Sequence, residues 1–244
     1  MRKLPTFTLT IIAALAMAAP AFAGSPRHFP RGPVGGPDYE QGQFRLSVGT
    51  FEPRGDSEFW DGNSQLFTGS ASDLKDVMWG GDFLWSINAN ASVMFSLETV
   101  EGATTQSYRG DYLEGGAPIS HRTTLAVTPF TVGLVFYPAG EKAPVIPYLG
   151  FGGGLYWWRY TENGDFINFN DEALPIFTGE YRADGVQAGF FGVAGLDIPV
   201  QKNWSVFAEV RYHKVRAEMG DDFDGMGKID LSGPQVSAGV AWRF

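Results

Sequence analysis

Arg45, Asp82, Glu98, Glu209, Arg211 and Arg243 share a pattern: each stands at an alternate position opposite a run of apolar residues. Charges of both signs on such a face point to pairing away from water, because a desolvated charge needs a partner of opposite sign. Two chemistries fit, a gated polar path through an interior or a closed ion-pair plug. His213 falls on the same face by parity. A general base needs a nucleophile within reach, and neither His28 nor His121 supplies a second candidate, so no catalytic residue is assigned. Gly150, Gly152, Gly153 and Gly154 sit among aromatic residues with no following Lys-Ser/Thr, which fails the phosphate-loop pattern. Close packing of large neighbours on bare backbone explains them. Asp221, Asp222 and Asp224 precede Gly225, but Gly220 and Leu231 stand where a calcium loop anchors its ends. They read as a solvated loop, and no cofactor or metal is expected.

The elements that hold these groups have a period of two. Phe44, Leu46 and Val48 alternate with Arg45, Ser47 and Gly49. Val77, Trp79, Phe83, Trp85 and Ile87 face away from Gly80, Asp82 and Ser86, and Ala91, Val93, Phe95 and Leu97 from Ser92, Ser96 and Glu98. Further segments cover about 123–137, 147–160, 185–198, 204–215 and 234–244. Such alternation marks strands with one apolar face. Segments of about 10–15 residues exceed the usual strand of 5–6, and a tilted strand crosses a bilayer in about 9–11. The connections sort by length. Those at 88–90, 138–146 and 199–203 are short, whereas 53–76, 101–122, 161–184 and 216–233 are long and polar. That pattern predicts an all-β chain over 42–244, an eight-stranded antiparallel up-and-down transmembrane β-barrel with both termini on the short-turn side. Tryptophans agree: all but Trp60 lie in these segments, and amphipathic rings favour the membrane interface.

The chain of 244 residues has 15% aromatic and 18% charged residues, 32 glycines and no cysteine. Beyond its start it contains no apolar run near the roughly 18 residues of a membrane-spanning helix. A formal charge of −9 argues against nucleic acid. Arg2 and Lys3, the apolar run Ile11 to Ala19 and the small-x-small Ala21-Phe22-Ala23 read as a secretory signal peptide over 1–23. Removing it takes the formal charge to −11. Residues 24–41, rich in Pro and Gly, read as a periplasmic leader.

Val236-Ser237-Ala238-Gly239-Val240-Ala241-Trp242-Arg243-Phe244 ends on an aromatic after strict alternation. Together with the runs 147–155 (PYLGFGGGL) and 194–199 (AGLDIP), it resembles the small bacterial outer-membrane barrel superfamily. That group includes outer membrane protein X and the membrane domain of outer membrane protein A, and the likeness is greatest to outer membrane protein W. The resemblance implies the outer membrane of a Gram-negative bacterium. It also implies outer-membrane lipid, lipopolysaccharide and the outer-membrane assembly machinery as partners, with Val240, Trp242 and Phe244 forming the insertion signal. The lipid A deacylase of similar fold uses a His with a Ser two residues on; here that place is Val215.

The long connections carry apolar residues, among them Phe59, Trp60 and Phe67 in the first and Phe166, Phe169 and Phe177 in the third. Two arrangements are open: an apolar pocket above the barrel, as likeness to outer membrane protein W implies, or strands that continue beyond the membrane with these residues packed in the sheet. The first implies passive uptake of small hydrophobic molecules through a narrow barrel. The second suits a structural or adhesin-like surface protein with a plugged lumen.

Overall fold

The computed structural model describes residues 42–244 apart from 114, 141–142 and 170. The signal-peptide and leader readings fall on residues 1–41, outside the described residues. Barrel strands are β1 (Gly42–Phe51), β2 (Asp76–Asn88), β3 (Ala91–Tyr112), β4 (Pro118–Phe136), β5 (Ile146–Ile167), β6 (Ile176–Pro199) and β7 (Trp204–Lys214). A small hairpin of β8 (Arg216–Glu218) and β9 (Lys228–Asp230) precedes the last, β10 (Gly233–Arg243). β1 to β7 and β10 form one closed ring, every pair antiparallel. Closure joins the two ends of the chain's sheet, with Gln43 opposite Arg243 and Phe51 opposite Gln235.

Alternation assigns the faces. Along β7, Ser205, Phe207, Glu209, Arg211 and His213 are buried, whereas Trp204, Val206, Ala208, Val210 and Tyr212 are exposed. The exposed apolar residues, such as Leu46, Phe151 and Phe190, form a belt that only hydrocarbon would cover. At its short-turn edge Phe44 stacks with Phe244 (5.5 Å) and meets Phe83 (4.9 Å), and Trp242 lies 5.2 Å from Phe244.

Two connections differ from the sequence reading. Residues 101–122 and 161–184 are mostly strand, not long polar loops: β3 and β5 each run 22 residues, β6 runs 24 and β4 runs 19. Glu101, Arg122, Arg159 and Asp184 mark where the outward face turns polar. Beyond them β3–β6 stand as a wall; β5 alone adds eight residues, roughly 25 Å of strand. Water on the outer face replaces the apolar half of the pattern with Thr, Ser and Arg, which makes an extended strand read as loop.

The first connection holds a helix, α1 (Glu58–Leu66), and a 3-10 turn at Ala71–Leu74 whose Ser70 and Asp73 form a reciprocal cap. Glu58 and Asp61 occupy the first turn of α1, where carboxylates suit the helix dipole. The helix is folded inward: Phe59 and Trp60 are buried.

Candidate functional site

The lumen is built in layers. Nearest the short turns, Gln43 and Arg45 (β1), Asp197 (β6), Glu209 (β7) and Arg243 (β10) converge. Arg45 lies 3.4 Å from Asp197 and 3.9 Å from Glu209, and Arg243 lies 3.1 Å from Asp197. Gln43 donates to Asp197 at 2.9 Å, and the Tyr148 hydroxyl donates to Glu209 at 2.7 Å. The Arg45 guanidinium also lies between the rings of Tyr148 (4.7 Å) and Phe207 (4.8 Å), a cation–π pairing that desolvation strengthens.

One layer up, Arg211 is the hub. It donates to Glu98 at 2.7 Å, Glu209 at 2.9 Å and Asp82 at 3.4 Å. Ser96 donates to Asp82, and Gln235 donates to Glu98 at 2.6 Å. The six charged residues singled out in the sequence thus meet in one buried network. It also contains Asp197, which the sequence reading did not single out although parity on β6 places it inward. Three guanidiniums face four carboxylates, all buried.

Bare backbone makes room for this network. A Cβ at Gly152 would strike the Val132 carbonyl and come 2.8 Å from the Phe191 ring, and one at Gly133 would come 2.7 Å from it. Phe191 lies over these glycines and supports Arg211, whose guanidinium is 5.3 Å from the ring centre. Gly152 and Gly133 thus seat an aromatic, and at Gly150 and Gly154 a Cβ would strike the backbone of the neighbouring strand, coming 2.8 Å from it at Gly150.

His213 is held on both sides. Nδ1 is 3.0 Å from the Tyr156 hydroxyl and Nε2 is 2.8 Å from Gln235 Oε1. Above it Phe51, Met78, Val100, Val127, Tyr156 and Leu231 pack together around a space of about 10 Å³, room for at most one water.

The upper lumen is closed by α1. Phe59 meets Tyr160 at 5.2 Å and Phe223 at 5.9 Å, edge to face, and Trp60 meets Tyr160 at 5.8 Å. Trp60 Nε1 donates to the Asp230 carbonyl at 3.3 Å. Phe67 packs with Tyr108 and Ile119, and Phe166 is buried against Tyr181 at 4.8 Å. Phe169 and Phe177 are exposed at the β5–β6 tip. The expected ring of six residues around an apolar pocket is therefore divided: four are packed core and two face outward. The cause is the inward fold of α1, which occupies the space the pocket would have used. Asp222 accepts from the Arg182 backbone N–H at 2.8 Å and so caps the edge that β6 presents above β7.

The model of the outer membrane protein β-barrel domain family matches residues 9–244. The chain belongs to that family. It is an outer-membrane barrel of the Gram-negative envelope, built from eight transmembrane strands. Among solved structures, OprG of Pseudomonas aeruginosa is 15% identical, with a TM-score of 0.51, covering 83% of this chain and 95% of that one. A major outer membrane protein of Thermus thermophilus is 12% identical (TM-score 0.46, 83% and 99% covered). Neisserial surface protein A is 15% identical (TM-score 0.45, 84% and 97% covered). The first of these supports the fold and no more. No curated protein sequence matches the chain. The likeness to outer membrane protein W stays a reading of the sequence.

Proposed function

We propose that this barrel is a closed structural and surface-interaction protein of the outer membrane, without a through-path for solutes and without catalytic activity. One observation carries the reading: the lumen is filled from its short-turn end to its loop end, by the Arg45–Arg211 network below and by Phe59 and Trp60 above. An eight-stranded barrel is only wide enough for side chains to fill. Both nitrogens of His213 are engaged and Val215 offers no nucleophile, which supports the non-enzymatic reading. The apolar belt meets outer-membrane lipid. The wall of β3–β6 and its acidic connections stand on the outer side against lipopolysaccharide, with both termini in the periplasm. Val240, Trp242 and Phe244 all point outward on the belt, where the assembly machinery could read them as the chain enters the membrane.

Passive uptake of small hydrophobic molecules, the other function open in the sequence, requires a cavity leading into the barrel, and Phe59 and Trp60 fill that place. Loading proteoliposomes with a hydrophobic fluorescent probe separates the two. Uptake equal to protein-free vesicles is expected; uptake that rises with protein content contradicts a closed barrel.

A further inference from the structure

Above the belt, β5 and β6 bear three outward carboxylates, and each is held by a neighbouring donor. Asp184 accepts from Arg182 Nε at 2.7 Å, Glu180 from Asn163 Nδ2 at 3.4 Å, and Asp165 from the Thr178 hydroxyl at 2.8 Å. Arg122 on β4 and Arg159 on β5 are exposed on the same face of the wall. Among the described residues no carboxylate pairs with either of them. Asp184 stands opposite Arg159 across the β5–β6 pair, but Arg182 holds it.

The surroundings of the two arginines are neutral. The cross-strand neighbours of Arg122 are Thr105 and Asn163. Thr124 and Thr161, partners of one another, lie between the arginines on the outward side. Glu101 of β3 shares the row of Arg159, but Ala126 of β4 separates them by two strand spacings, roughly 10 Å. The middle of the wall therefore carries a stripe of guanidinium and hydroxyl groups, with its acidic residues set to either side.

Height gives this stripe its meaning. Trp157, two residues below Arg159, is exposed on the apolar belt, and Leu155 continues the belt downward. Arg122 lies opposite Asn163, four residues above Arg159 on β5, which is roughly 13 Å of strand. Arg159 thus stands just over the hydrocarbon edge, and Arg122 stands farther out from the membrane. An arginine fork matches the oxygens of phosphate and carboxylate, and an unpaired one keeps its donors for such a group.

We propose that Arg159 and Arg122 bind one molecule of lipopolysaccharide against the outer face of the wall. Arg159 meets a phosphate of its lipid A, and Arg122 meets an acidic group of its inner core sugars. Lipopolysaccharide fits because it stacks anionic groups at successive heights above its acyl chains, whereas a phospholipid carries its phosphate at the first height only. The acyl chains lie along Trp157 and Leu155, and Thr124 and Thr161 offer hydroxyls to the sugars. The proposal rests on the reading that the wall stands on the lipopolysaccharide side of the membrane. It holds whether or not the lumen conducts.

The test is titration of the refolded barrel in maltoside micelles with deep-rough lipopolysaccharide, lipid A bearing only its acidic core sugars, with bound lipid counted by native mass spectrometry. One molecule per barrel is expected. Arg122→Gln and Arg159→Gln should each weaken binding about fivefold, the upper end for an exposed ion pair. Together they should weaken it about 25-fold, because sites this far apart act independently. Phosphatidylglycerol lacks the second anionic group and should bind the parent about fivefold more weakly. Both substitutions are on the surface, so an unchanged thermal midpoint without lipid separates lost binding from lost folding, and each single variant decides the matter if the double one fails to fold. Equal affinity of the parent and the variants for lipopolysaccharide overturns the assignment while leaving the orientation of the wall intact. So does phosphatidylglycerol that binds as tightly as lipopolysaccharide. Failure of the parent to bind lipopolysaccharide overturns both the site and the placement of the wall against it, and closure of the lumen is still judged by probe uptake.

Discussion

Replacing Arg211 with methionine is expected to destabilise the barrel by about 3–5 kcal/mol, the scale for removing one partner of a buried ionic network. Arg211 is fully buried and bonds three carboxylates, Glu98, Glu209 and Asp82. Methionine fills much of the volume over Phe191 but leaves those groups facing one another without Arg211's charge. Arg45, 3.9 Å from Glu209, would offset only that one directly. Adding Glu98→Gln and Asp82→Asn should recover a large part of the loss, because the cost lies in the stranded charge more than in the missing contacts. Urea unfolding in lipid vesicles, followed by tryptophan fluorescence, reads both variants. A single variant as stable as the parent, or a triple variant no better than the single, would show that the network does not hold the lumen together.

Trp60→Ala should cost about 3–5 kcal/mol, as large-to-small core changes of aromatics do, but the loss should be local. Trp60 anchors α1 through its contact with Tyr160 and its hydrogen bond to the Asp230 carbonyl. Without it α1 loses its hold on the upper lumen, while the strands below keep their ladder and the charged network. Limited proteolysis should therefore cut within 52–75 in the variant and not in the parent, with the strand signal in circular dichroism unchanged. Unfolding of the whole barrel at once would contradict the division into a polar lower and an aromatic upper layer.

Much of this was legible in the residues. Period-two alternation identifies the spans and faces because lipid on one side and a packed lumen on the other impose opposite demands on neighbouring positions. The same rule brings Arg45, Asp82, Glu98, Glu209, Arg211 and Arg243 to one interior. Asp197 escaped notice because Gly189, Gly192 and Gly195 leave β6 without a marked face. The upper strands were hidden for a different reason. Once outside the membrane, Thr105, Ser107, Thr161 and Asn163 face outward, and the inner face mixes Tyr108, Ile119 and Phe166 with the buried polar Gln106, His121 and Glu162, so no continuous apolar half of the pattern remains to reveal a strand. His121 accordingly read as a loop-edge residue although it lies within β4. Helix α1 is short and mixes Asp61, Asn63 and Ser64 with Phe59 and Trp60. Only the empty upper lumen, a feature of the closed ring, dictates that its aromatic side turns inward.

Closure of the lumen is the central claim, and planar-bilayer recording tests it most directly. A filled barrel should leave the membrane current at the protein-free level at both polarities, for the parent and for Trp60→Ala alike, because the Arg45–Arg211 network still seals the lower layer. Steady unitary conductance of the parent protein would contradict it.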